Sequence, residues 1–122
     1  MNIEELRDYC IAKEEVAEET PFGPDTLVFK VFGKVFLLLG LDQIDQLSFN
    51  VKCDPEYALE LRQQYAHSVL PGYHMNKKHW NTVFANRQLS DELLYKLVDH
   101  SYDLVLKGLP LKIRAHLKSG MN

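Results

Sequence analysis

Leu47, Phe49, Val51 and Cys53 alternate with Ser48, Asn50 and Lys52. That period of two marks a half-buried β-strand, because successive side chains of a strand point to opposite faces. Thr26 to Phe32 is rich in β-branched and aromatic residues and predicts another strand. Gly33-Lys34 then reads as a tight turn into Val35 to Leu39, a run apolar on both faces and so suited to a central strand. In a fourth strand Trp80, Thr82 and Phe84 alternate against His79, Asn81 and Val83. The expectation is that Trp80 packs in the core while the His79 side stays wet.

Helical spacing fills much of the remainder. Asn2 followed by Glu5 is a capping pair that opens a helix with Ile3, Leu6 and Cys10 on one stripe. The acidic run from Glu14 to Glu19 leads into Thr20-Pro21-Phe22-Gly23-Pro24-Asp25, a loop by its prolines and glycine. Asp54-Pro55-Glu56 starts a second helix carrying Tyr57, Ala58, Leu61 and Tyr65. Ser90 caps a long third helix whose Leu94, Leu97, Val98, Ser101 and Val105 share a face. Gly108-Leu109-Pro110 ends it, and a short helix from Leu111 to Lys118 closes the chain. The order α-β-β-β-α-β-α-α predicts an α+β fold: a two-layer sandwich with an antiparallel sheet of about four strands or more and helices on one face. Residues 1–122 make a single domain, long enough to bury a core without staples.

Charge changes the picture more than composition does. The net charge is −3, yet residues 1–61 hold 5 Lys/Arg against 13 Asp/Glu and residues 62–122 hold 9 against 4. A chain so divided can present a basic face at an overall pI of about 5.9. Folding of the acidic half against the basic half is the plain alternative. Two distant cysteines, Cys10 and Cys53, make no disulfide framework and suit a reducing, cytoplasmic setting. No signal peptide or membrane-spanning run is legible.

Candidate chemistry concentrates in Pro71 to Val83, which holds Tyr73, His74, Asn76, Lys77, Lys78, His79 and the single tryptophan. Lysines can neutralise phosphates, histidines can donate to them, and an aromatic can stack on a base. Lys30 and Lys52, on strand positions pointing away from the core, and Arg114 in the last helix would extend such a surface. A solvated surface loop would carry the same residues. His67, His74, His79, His100 and Cys53 lack metal-binding spacing, and no cofactor is expected. Cys53 precedes a helix N-cap, where a thiol can be activated, but its inward strand position reads as a small hydrophobe. His100 and Asp103, three apart on a helix, can meet as an ordinary surface pair.

Several of these segments together resemble the MmcQ/YjbR family. They are Glu19-Thr20-Pro21-Phe22-Gly23, Phe29-Lys30-Val31-Phe32-Gly33-Lys34, Lys52-Cys53-Asp54-Pro55-Glu56, Pro71 through Trp80, and His100-Ser101-Tyr102-Asp103-Leu104-Val105. They run through nearly the whole chain. The resemblance implies a compact domain with a double-wing arrangement and DNA binding, with no catalytic residues. The expectation is therefore a non-enzymatic DNA-binding protein that contacts phosphates through the basic loop and sheet face. Its contact residues would be Lys30, Lys52, Tyr73, His74, Asn76, Lys77, Lys78, His79 and Arg114. The alternative is a protein-interaction or small-ligand module using the open sheet face or the Tyr73–Trp80 loop. Convergence of the cations on one surface favours the first; a pocket ringed by Tyr73, His74, Asn76 and Trp80 favours the second.

Overall fold

The computed structural model describes residues 1–43, 46–72 and 75–117. Its strands are β1 (Val16–Glu19), β2 (Thr26–Val31), β3 (Lys34–Gly40), β4 (Ser48–Lys52), β5 (Val69–Pro71) and β6 (Trp80–Phe84). They form one sheet in the order β1-β2-β3-β4-β6-β5, with every pairing antiparallel. The helices are α1 (Ile3–Ile11), α2 (Pro55–Gln64), α3 (Asp91–Lys107) and α4 (Leu111–Arg114). This is the predicted α+β architecture with two strands more than the four that were legible. β1 was expected to belong to an acidic approach to a loop, and β5 is three residues long and ends in proline.

Register explains which face is buried. Leu27, Phe29, Leu37, Leu39, Phe49, Val51 and Val83 are in register across β2, β3, β4 and β6 and all lie in the core. Leu6 and Cys10 of α1, Ala58 and Leu61 of α2, and Leu94, Leu97 and Val98 of α3 close over them. The other face alternates out of the core: β4 and β6 both run half-buried, buried, half-buried along their lengths. A register shift between Phe29 and Lys30 lets β3 turn both Phe36 and Leu37 inward. Phe36 meets Tyr102 of α3 edge-on at 5.4 Å between ring centroids.

Two expectations need correcting. The β2–β3 turn is Phe32-Gly33, not Gly33-Lys34, and both residues have positive φ (48° and 79°). Two left-handed residues match the twist of a two-residue hairpin, and glycine takes the second of them without steric cost. The faces of β6 are also the reverse of the expected ones. Asn81 and Val83 are buried toward the helices, whereas Trp80, Thr82 and Phe84 are half-buried on the open face. The alternation was correct, but it cannot say which set faces in when each contains polar and apolar members. Val83 pairs with Phe49, and that register decides it. α4 ends at Arg114; Lys118 lies outside the described residues.

Candidate nucleic-acid interface

Antiparallel pairing carries residues from five strands to one end of the sheet. Val31 pairs with Lys34 across the β2–β3 hairpin, Lys52 with Trp80, and Pro71 with Asn81 at the mouth of the β5–β6 hairpin. Lys34, Lys77 and Lys78 are exposed there, and Lys52 is half-buried on the open face. The strand ends of the two hairpins lie at this end on either side of Lys52. Tyr73 and His74, both predicted contacts, lie outside the described residues.

The β5–β6 hairpin is held by Arg62, a residue that sequence reasoning missed. Its Nε donates to Asn81 Oδ1 (2.8 Å), and its Nη2 donates to the carbonyls of Trp80 (3.3 Å) and Lys77. A lone arginine on a helix ordinarily reads as solvated, and only the packing of α2 beside β5 shows its role. Asn76 is a turn residue: its Oδ1 accepts the Lys78 N–H (2.9 Å) and its carbonyl accepts the Trp80 N–H (2.9 Å). The His79 carbonyl accepts the Cys53 N–H (2.7 Å), fastening the hairpin to the end of β4. Gly72 is required here, because a Cβ would sit 2.8 Å from Trp80 Cβ and 3.0 Å from its carbonyl oxygen. The structure thus places Lys77 and Lys78 on an anchored turn.

The predicted cations do not all join this end in the same way. Lys30 faces outward as expected but pairs with Glu19 at 2.7 Å, which answers its charge. Arg114 belongs to the helical layer, on α4, and its buried Nε has no hydrogen-bond partner among the described residues. Glu15, Asp54 and Glu56 are exposed toward the same end of the chain's elements, so the lysines act locally and not through a uniformly positive field. At the far end the face carries one carboxylate, Asp42, whose Oδ1 lies 3.3 Å from where a Cβ on Gly40 would sit. A groove of about 930 Å³ lies on the open face on this side of Lys52 and Trp80, lined by Leu38, Asp42, Ser48, Asn50, Thr82 and Phe84 among others.

Beneath the lysine-bearing end, the end of β4 and the start of α2 are tied to α3 by two side chains. Ser101 Oγ accepts the Lys52 N–H (2.8 Å), and His100 Nε2 accepts the Asp54 N–H (3.1 Å). His100 therefore bonds the N-cap residue of α2 instead of the predicted Asp103. Burial lowers its pKa from the ordinary 6.5, against the raising influence of Asp54 and Asp103. The folded state thus favours neutral His100, and the unfolded chain binds more protons just below pH 6.5. This contribution to stability is complete above about pH 6.5 and is lost as pH falls through the lower folded-state value. Thermal melts across that range should show a steeper acid loss for wild type than for His100→Gln, whose amide oxygen can still accept the Asp54 N–H. Superimposable pH profiles would remove His100 from this role.

Cys53 is buried, and desolvation pushes its thiol up to about 12, so it is held as a thiol and not as a thiolate nucleophile. Among the described residues, no three His, Cys, Asp or Glu side chains gather to hold a metal ion, and no helix is long and apolar enough to cross a membrane.

Comparison with known proteins places this geometry in a family. The YjbR family model matches residues 11–104. Uncharacterized protein YbdF of Escherichia coli O157:H7 is 42% identical over 101 residues, covering 82% of this chain and 80% of its own. Uncharacterized protein YjbR of Escherichia coli K12 is 34% identical over 110 residues, covering 90% and 92%. The crystal structure of a Deinococcus radiodurans protein of domain family DUF419 matches with a TM-score of 0.87 at 38% identity, over 99% of this chain and 95% of that one.

Proposed function

The chain belongs to the YjbR family, and we propose that it is a non-enzymatic DNA-binding protein that takes the phosphate backbone at the lysine-bearing end of its sheet. The observation that carries this is the arrival of Lys34, Lys52, Lys77 and Lys78 at one end from separate strands and hairpins. Lysines so placed release condensed counterions when they meet phosphates, which is the main source of affinity for a polyanion. The two hairpins supply the double-wing shape, and Arg62 fixes the wing that carries Lys77 and Lys78. Both cysteines are free and buried, in keeping with a reducing, cytoplasmic setting.

The test is fluorescence anisotropy of labelled DNA, single-stranded and duplex, in about 50 mM salt, the low-salt condition where such contacts are strongest. The expected result is saturable binding that Lys77→Ala/Lys78→Ala weakens by about tenfold or more. Absence of binding to both DNA forms would overturn the proposal. Unchanged affinity in the double variant would remove this wing from it.

A further inference from the structure

The lysine-bearing end would hold a backbone, and the sheet face beside it carries groups suited to bases. Trp80 and Phe84 sit on the open face of one strand, with Thr82 between them on the same side. Thr82 Oγ1 lies 2.5 Å from Asn50 Oδ1 on the neighbouring strand, an arrangement that leaves the Asn50 amide nitrogen for the groove. The Arg87 guanidinium lies 4.1 Å from the centroid of Phe84 and supports that ring. Leu38 supplies the apolar floor. Lys52 pairs in register with Trp80, so a cation stands beside the first aromatic of the row.

Charge limits what can lie here. A duplex presents phosphates along both edges and keeps its bases stacked inside, so it would have no use for an aromatic row with an amide between. It would also carry phosphate toward Asp42 at the far end of the groove. A single strand presents phosphates on one side and free π-faces on the other. That asymmetry matches a sheet face with lysines at one end and Trp80, Asn50 and Phe84 along it. Stacking of bases on aromatic side chains tolerates sequence because every base has a π-face.

We propose that the open sheet face is a single-stranded DNA site, with Trp80 and Phe84 as stacking platforms, Asn50 donating to a base edge, and phosphates directed to Lys52, Lys77 and Lys78. This rests on the DNA-binding proposal above and specifies which form of DNA that site takes. A bound duplex would engage the lysine-bearing end alone.

Because Trp80 is the single tryptophan of the chain, its emission reports directly on this face. The full chain is titrated with a deoxythymidine oligomer and with a duplex of equal length, reading both Trp80 fluorescence and the anisotropy of labelled DNA. The expected result is quenching of Trp80 by the single strand and at least about tenfold tighter binding of it than of the duplex. Phe84→Leu, which keeps an apolar side chain, should weaken the single strand by roughly 5- to 100-fold and the duplex much less, in line with the loss of one stacked base. A melt of that variant establishes that it is folded. Single-strand binding with unchanged Trp80 emission, or a duplex bound equally or more tightly, would overturn the single-strand site while leaving lysine-mediated DNA binding intact. No binding of either DNA would overturn both.

Discussion

Phe36→Ala should lower the stability of the domain by about 3–5 kcal/mol, the range for truncating a fully buried aromatic. Phe36 has no exposed surface, and the register shift beside Lys30 is what turns it into the core next to Leu37. It touches Phe29 at 6.5 Å between centroids and Tyr102 at 5.4 Å, so its ring joins β2 to α3 through β3. Its removal leaves a cavity at the junction of the two layers, where the sheet register and the α3 backbone both resist collapse. Roughly 3–5 °C per kcal/mol for a chain of this length implies a fall in Tm of about 10–20 °C. Urea melts should show the same loss at an unchanged m-value. A loss below about 1 kcal/mol would mean that the site repacks and that the bulge does not define the core.

Ser101→Ala should cost about 2–4 kcal/mol despite removing a single oxygen. Ser101 is fully buried, and its Oγ donates to the Phe36 carbonyl (2.5 Å) while accepting the Lys52 N–H (2.8 Å). One hydroxyl thus satisfies backbone groups of two neighbouring strands. Alanine leaves both without that partner, and a buried polar group left unpaired costs about 1–3 kcal/mol. Denaturant melts measure the loss, and amide exchange locates it. The Lys52 amide should lose protection more than amides on β2 do. Equal protection in the variant would show that another group takes over the bond.

Much of this fold was legible because the period-two and helical patterns are strong where one face is buried. β4 has an unmixed apolar side and α3 a side that is apolar but for Ser101, so both show their buried faces in the sequence. β6 was not, since Trp80, Thr82 and Phe84 resemble a core side more than Asn81 and Val83 do. Its faces are fixed by pairing with β4, a long-range fact absent from the local pattern. β1 was hidden for a related reason: Glu18 is answered by Arg7 and Glu19 by Lys30, partners far away in sequence. The site shows the same limit. Lys52, Lys77 and Lys78 were identifiable as outward-facing cations, but Lys34 was read only as part of a turn. Topology brings it to their end of the sheet. Arg62 escaped because nothing local distinguishes an arginine that holds backbone carbonyls from one in water.

The phosphate contacts proposed for the lysine-bearing end are measured most directly by the salt dependence of DNA affinity. Plots of log affinity against log salt for wild type and Lys77→Ala/Lys78→Ala count the contacts that the wing contributes. Loss of two contacts should make the slope shallower by about 1.4 on a single strand or about 1.8 on a duplex. Parallel lines of equal affinity would show that Lys77 and Lys78 make no phosphate contact.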